Sequence, residues 1–284
     1  MPPAPTGAGV ARGAVRLGVF ILAGATALLA SSLVLATLPA EVNVGGESLP
    51  VFFVSMSVTL LVAHLVTFAT VDRRGWTMVG VSRAAWSWRR LAAGFGLGAV
   101  AVGGPSALLL AAGWLRVEPS APGSWGTAAL LTLLTLLPAA LWEELATRGY
   151  LLTVLREWIG ARRAIVATSA LFGALHLENA GATWQSVGLV TLAGIFLGSI
   201  RVAFDSLPAA WAAHVAWNFV MAGLLHTAVS GVGLGSPNYR VVDAGPDWAT
   251  GGTWGPEAGL VTAVGLLVGI YIMLRRGRRG VEST

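Results

Sequence analysis

Seven ionisable side chains sit inside long apolar runs of this chain: His64, Glu143, Glu144, Arg148, His176, His214 and His226. Asn218 joins them as a strong polar group. Charged groups at the centre of a bilayer cost about 2.5–3.5 kcal/mol on insertion scales, so they pair with one another or serve a function. Glu144 and Arg148 are i,i+4, which puts them on one helix face with the acid N-terminal, the favoured order for an ion pair. Glu143 points about 100° away around the same helix and has no partner within its own turn. A lone carboxyl in such a place suits proton transfer near neutrality. His176 follows Phe172 by four residues, and His214 precedes Asn218 by four, so the last two project together from one face. His with Asn on one face can bind water, a metal or an anionic oxygen. Each of these polar residues alone is as well explained by hydrogen bonding between helices or by snorkelling to the interface.

Depth separates chance from design. Glu143 lies 13 residues before Arg156, and His176 lies 13 residues after Arg163. At the helical rise each is roughly 20 Å from the basic boundary. His214 lies nine residues beyond Asp205, roughly 14 Å by the same rise. Three helices therefore carry their costly groups in one slab, and structural polar residues acting independently have no reason to share a depth. His64 fits the slab as a weaker candidate, and His226 falls near the opposite face and is set aside.

The elements that must position these groups are membrane helices. Of 284 residues 55% are hydrophobic and 11% charged, against about 25% charged in soluble domains. Mean hydropathy is +0.74. Apolar runs are expected at 17–38, 49–71, 91–115, 125–155, 164–177, 184–200, 207–229 and 258–274. The fourth is too long for a perpendicular span, so it is tilted, kinked at Pro138 or continued past the membrane edge. All 18 basic residues are Arg. With the N-terminus inside, fifteen arginines fall on cytoplasmic segments, and Arg116 and Arg240 alone fall outside; Arg148 lies within a run. That asymmetry predicts an all-α, polytopic cell-membrane protein with about eight transmembrane helices and both termini cytoplasmic. It also assigns the basic charge to orientation in the bilayer, with no nucleic-acid partner. The expected organisation is a tail at 1–16, three helices over 17–126 with a basic loop at 72–90, a core at 127–229, an extracytoplasmic loop at 230–257, and a last helix with a basic tail at 258–284. Trp76, Trp86 and Trp88 of the basic loop, and Trp248 and Trp254 of the outer loop, are expected at the interfaces. Gly94/Gly98, Gly194/Gly198 and Gly265/Gly269 have the spacing that lets helices approach closely, a spacing that also arises by chance in a Gly-rich chain.

The order Glu-Glu-x-x-x-Arg (143–148), Phe-x-x-x-His (172–176), His-x-x-x-Asn (214–218) resembles the CPBP intramembrane proteases, a family that includes the type II CAAX prenyl endopeptidases and the lysostaphin resistance protein A group. The resemblance covers roughly 127–224. It implies an all-helical core with a polar cavity inside the membrane. It further implies that Glu143 and His176 activate a water, that His214 and Asn218 bind metal or stabilise the oxyanion, and that Glu144 and Arg148 hold the site in shape, with Phe172 supporting.

The residues themselves leave the metal open. Without Cys, and with no Ser beside a base in these motifs, a covalent nucleophile is not indicated. A Glu with a His can deprotonate water directly. Zn2+ held by Glu143, His176 and His214 would leave a position for that water; Asn is a poor zinc ligand, which favours an oxyanion role for Asn218. The expected activity is hydrolysis of membrane-associated peptides. The rivals are a non-catalytic binding or immunity protein of the same fold and a proton-coupled transporter. The transporter calls for inverted repeats and broken helices; no repeat is evident, although Pro138 and Pro208 stand where helices could break.

Overall fold

The computed structural model describes residues 7–36, 49–235 and 237–282. The linker carrying Glu41, Gly45, Gly46 and Glu47 lies outside the described residues. The chain is a helical membrane protein. In order the elements are α1 (Gly7–Ala36), α2 (Leu49–Thr70), α3 (Trp88–Ala111), β1 (Leu115–Pro119), α4 (Trp125–Glu144), a π-helical turn (Leu145–Gly149), α5 (Tyr150–Ile159), α6 (Ala161–Ala174), α7 (Trp184–Ala203), α8 (Leu207–Phe219), a second π-helical turn (Val220–Leu225), β2 (Tyr239–Asp243), α9 (Asp247–Thr250) and α10 (Leu260–Glu282). Five stretches among the described residues are long and apolar enough to cross a membrane: Gly9–Leu33, Pro50–Thr70, Trp88–Ala111, Trp125–Ile159 and Trp184–Ala203. The runs expected at 164–177 and 207–229 form the shorter helices α6 and α8.

Close helix approach is set by glycine. A Cβ on Gly94 would stand 2.2 Å from the Ala209 carbonyl oxygen, and one on Gly98 only 1.9 Å from that of Ala213. This clamps α3 against α8. Gly265 meets the Ala101 carbonyl in the same way, and Gly269 leaves room for the Phe196 ring. All three expected glycine pairs thus lie at helix contacts, where a small residue lets backbones touch and dispersion replaces the hydrophobic effect as the adhesive. Around them α3, α7, α8 and α10 enclose the main core, with Val102, Phe196, Ile200, Ala213, Met221 and Leu266 buried.

Several local expectations are corrected. The long fourth run does wind irregularly, but at Leu145–Gly149 rather than at Pro138, which α4 passes through. Pro208 sits in the first turn of α8, where its missing N–H costs nothing; Ser206 caps that helix by accepting from the Ala209 N–H at 3.1 Å. The basic loop forms turns and one 3-10 turn (Gly75–Thr77). The third run ends as helix at Ala111, and Leu115 opens a short strand. That strand pairs antiparallel with β2, Leu115 opposite Asp243 and Pro119 opposite Tyr239, and so ties the α3–α4 connection to the loop before α10. Trp248 is exposed, but Trp254 is buried against Phe172, Val190 and Ala258 and is no interfacial anchor. An aromatic run in a polar loop gives no sign of which ring will turn inward.

One end of the bundle gathers the arginines. Arg16 of α1 is ion-paired with Asp72 and with Glu157 of α5. Arg74 bridges the same two acids at 3.1 and 2.7 Å. Tyr150 donates its hydroxyl to Asp72 at 3.3 Å. At this end too, Leu207 N–H donates to the Gly80 carbonyl, the Arg201 guanidinium lies over Gly80, and Arg276 stacks on Phe204. The strand pair and the loops 177–183 and 226–259 occupy the opposite end.

Candidate active site

The site grows from the junction of α4 and α5. Glu144, the last residue of α4, is fully buried, and its Oε1 accepts from Arg148 Nη1 at 2.9 Å. Arg148 lies within the π-helical turn, also fully buried, and donates through Nη2 to the Gly194 carbonyl of α7 at 3.2 Å. Its guanidinium lies 4.2 Å from the centre of the Phe172 ring, close enough for a cation–π contact. Arg148 Nε and Glu144 Oε2 are buried without hydrogen-bond partners among the described residues. The ion pair expected from spacing therefore forms, and it also reaches α6 and α7.

His214 of α8 joins this pair. Its Nδ1 donates to Glu144 Oε1 at 3.0 Å, which fixes the ring and turns Nε2 toward Glu143 Oε2, 3.6 Å away. Carboxylate support of one ring nitrogen is how proteins set the tautomer and orientation of a working imidazole. His176, just past α6, donates through Nδ1 to the Phe172 carbonyl at 2.8 Å, and its Nε2 has no partner among the described residues. The Phe172 ring packs against both imidazoles, with centroids 4.8 Å from His176 and 5.9 Å from His214. Among the described residues the ion-pair contact of Glu143 is to His214 and not to His176.

Glu143, His176, His214 and Asn218 all line one cavity of about 310 Å3, with Phe172, Trp142, Thr147 and apolar side chains of α7 completing the wall. Asn218 makes no side-chain hydrogen bond among the described residues, so its amide is available to whatever enters. Glu144 and Arg148 stand behind this wall. Among the described residues no three His, Asp or Glu side chains gather as a metal-holding group. Glu144 on His214 Nδ1 leaves Nε2 facing Glu143, the support that a carboxylate gives a water-binding or a metal-binding imidazole alike.

Residues 125–220 match the family model described as Type II CAAX prenyl endopeptidase Rce1-like. This segment is similar to the Rce1-like family. Its bounds contain every site residue named above, and the family is one of CAAX-type intramembrane proteases, in agreement with the resemblance carried by the three motifs. No curated protein and no solved structure matches the chain.

The matched segment does not close its cavity alone. Glu257, beyond the matched segment, is buried in the cavity wall. Its Oε2 accepts from Trp217 Nε1 at 2.8 Å, and its Oε1 accepts from both the N–H and the hydroxyl of Ser230. Asn179 donates to the Ser230 carbonyl at 3.0 Å. The loop before α10 thus forms a wall of the cavity, through Val229, Ser230, Val232 and Leu234. Sequence reasoning missed Glu257 because it lies just before the last apolar run, where an acid reads as a loop residue.

His64 leaves the site. It is fully buried, donates through Nδ1 to the Leu60 carbonyl at 2.7 Å, and accepts the Tyr150 N–H on Nε2 at 3.2 Å. Tyr150 follows the π-helical turn, where regular backbone pairing is interrupted, so His64 supplies a partner the helix does not. Gly149 makes room for it, since a Cβ there would stand 2.7 Å from His64 Nε2. His226, set aside at the outset, ends the second π-helical turn with a left-handed backbone and stacks on Tyr239.

Proposed function

We propose that this chain is an intramembrane endopeptidase that crosses the bilayer eight times with both ends cytoplasmic, and that hydrolyses peptide bonds of membrane-associated polypeptides with a Glu143-activated water. The observation that carries this reading is the convergence of Glu143, His176, His214 and Asn218 on one cavity, with Glu144 and Arg148 holding His214 from behind. Glu143 is the group that takes the water proton. His176 Nε2 accepts the hydrogen bond of the other water O–H, and His214, held by Glu144, stands beside the Glu143 carboxylate. As the hydroxide adds to the scissile carbonyl, the Asn218 amide donates to the oxyanion; preorganised donors of this kind are often the largest single contribution to acyl-transfer catalysis. The proton held by Glu143 then passes to the departing amine. No step is routed through a metal.

The eight-span topology rests on the fifteen-to-two arginine asymmetry and on the gathering of arginines at one end of the bundle. The hydrolase is tested by cleavage of membrane-anchored peptides by purified protein in liposomes, wild type beside Glu143→Gln, with and without a chelator. Loss of a general base lowers the rate by about 10²–10⁴. Cleavage that survives chelation and falls by that factor in the variant supports the reading; loss on chelation replaces it with a metalloprotease; unchanged cleavage by Glu143→Gln refutes it.

A further inference from the structure

Glu257 joins the two segments that carry the groups used in the proposed reaction. His176 stands two residues past the end of α6, in a run of turns, so regular helix does not fix it on its far side. Its carbonyl accepts the Asn179 N–H at 3.2 Å, and the Asn179 amide donates to the Ser230 carbonyl at 3.0 Å. Ser230 donates its N–H and its hydroxyl to Glu257 Oε1, at 2.6 and 2.8 Å. Glu257 Oε2 accepts from Trp217 Nε1 at 2.8 Å, and α8 carries His214 and Asn218 on either side of Trp217 in sequence. One buried side chain therefore closes a chain of contacts from the turn that carries His176 to the helix that carries His214 and Asn218. The backbones are fitted to the same arrangement. A Cβ on Gly231 would run into the Ala180 carbonyl, and the Gly231 N–H donates to the Trp254 carbonyl at 3.1 Å.

We infer that Glu257 is a positioning residue of the reaction: it clips the His176 turn to α8 through Ser230 and Trp217, and so sets the spacing between His176 and the pair His214 and Asn218. This deepens the endopeptidase reading and rests on it. The chemistry of the clip calls for a carboxylate. All three bonds to Glu257 come from donors, and a carboxylate is acceptor-only on both oxygens. Hydrogen bonds to such a charged acceptor are roughly twice as strong as neutral ones. Glutamine keeps the shape but turns one oxygen into a donor, which must face either the Trp217 N–H or the Ser230 N–H. One link breaks in either orientation. A misplacement of about 1 Å between reacting groups can cost about 10² in rate.

The test compares Glu257→Gln with wild type, as full chains in liposomes, at temperatures well below the melting point of each. For a membrane-anchored peptide kcat is expected to fall by about 10², with KM little changed. Amide hydrogen exchange is expected to quicken over residues 175–183, while α3 and α7 exchange as in wild type. Unchanged kcat, or unchanged exchange over 175–183, overturns the inference. A raised KM at constant kcat also overturns it, because Glu257 would then hold substrate and not the catalytic groups. If Glu257→Gln does not fold, Asn179→Ala breaks the clip at its other end, and the same outcomes decide. Failure of the wild type to cleave sinks the endopeptidase reading alone; the exchange rates still decide whether Glu257 holds the His176 turn.

Discussion

Glu143, Asn218, Arg148 and His64 are four buried or half-buried polar residues with three different jobs, and substitution separates them. In the proposed mechanism Asn218→Ala removes a single oxyanion donor, and it is expected to lower kcat by about 10²–10³, with KM and thermal stability little changed; steady-state cleavage in liposomes checks it. Arg148→Met leaves the Glu144 carboxylate buried without its cation, and breaking such a pair costs about 3–5 kcal/mol. That variant should lose much of its heat resistance, followed by tryptophan fluorescence in detergent, as well as its activity, since His214 loses the anchored carboxylate that orients it. His64→Ala orphans the Tyr150 N–H, a loss of about 1–3 kcal/mol. It should melt at lower temperature yet cleave normally while folded. An equal loss of activity at temperatures where the variant is folded would return His64 to the site. The polar slab was legible in the sequence for Glu143, His176 and His214 because position along a helix is depth. It misplaced His64 because depth alone does not say which way a ring faces.

At the scale of elements, the contact between α3 and α8 positions the face of α8 that carries His214. Gly98 stands against Ala213, the residue before His214. Gly98→Leu must push the helices apart and carry His214 from Glu144, so both stability and cleavage should fall, whereas Gly96→Ala meets open space on the same helix and should change neither. Parallel melting and cleavage assays of the two variants check this. The glycine spacing was visible beforehand, but chance spacings look the same, and only the packed helices distinguish them. The π-helical turn was not visible at all. It depends on a partner for the Tyr150 N–H that comes from α2, more than eighty residues away in the chain.

Across the whole molecule, the arginine-rich end is held by a charge cluster that responds to pH. Burial alone would raise the Asp72 carboxyl, but the hydrogen bond from Arg74 and the nearby Arg16 hold it below its ordinary value of 3.8. A carboxyl lowered on folding contributes stability that is present above its unfolded value and is lost as pH falls through the folded one. Asp72→Asn should therefore melt at lower temperature than wild type at neutral pH, with the difference shrinking below about 3.8 as the wild-type carboxyl takes up its proton. Melting curves across pH check the sign. A gap that widens in acid would mean that another group dominates the cluster.

The sequence by itself determined that this is a membrane protein, that its arginines favour one face, and that Glu143, Glu144, Arg148, His176, His214 and Asn218 form a set. It could do so because a bilayer penalises each polar group wherever it stands, so their presence and depth are informative before any fold is known. Only the tertiary structure decided which of them touch: that Glu144 serves both Arg148 and His214, that Glu143 faces His214, and that His64 serves the backbone. It also decided that Trp254 turns inward and that Glu257 completes the cavity from outside the matched domain. These facts depend on contacts between segments far apart in the chain, and on loops whose polar composition is compatible with many foldings. Helix periodicity and membrane depth are local quantities; the shape of a cavity is not.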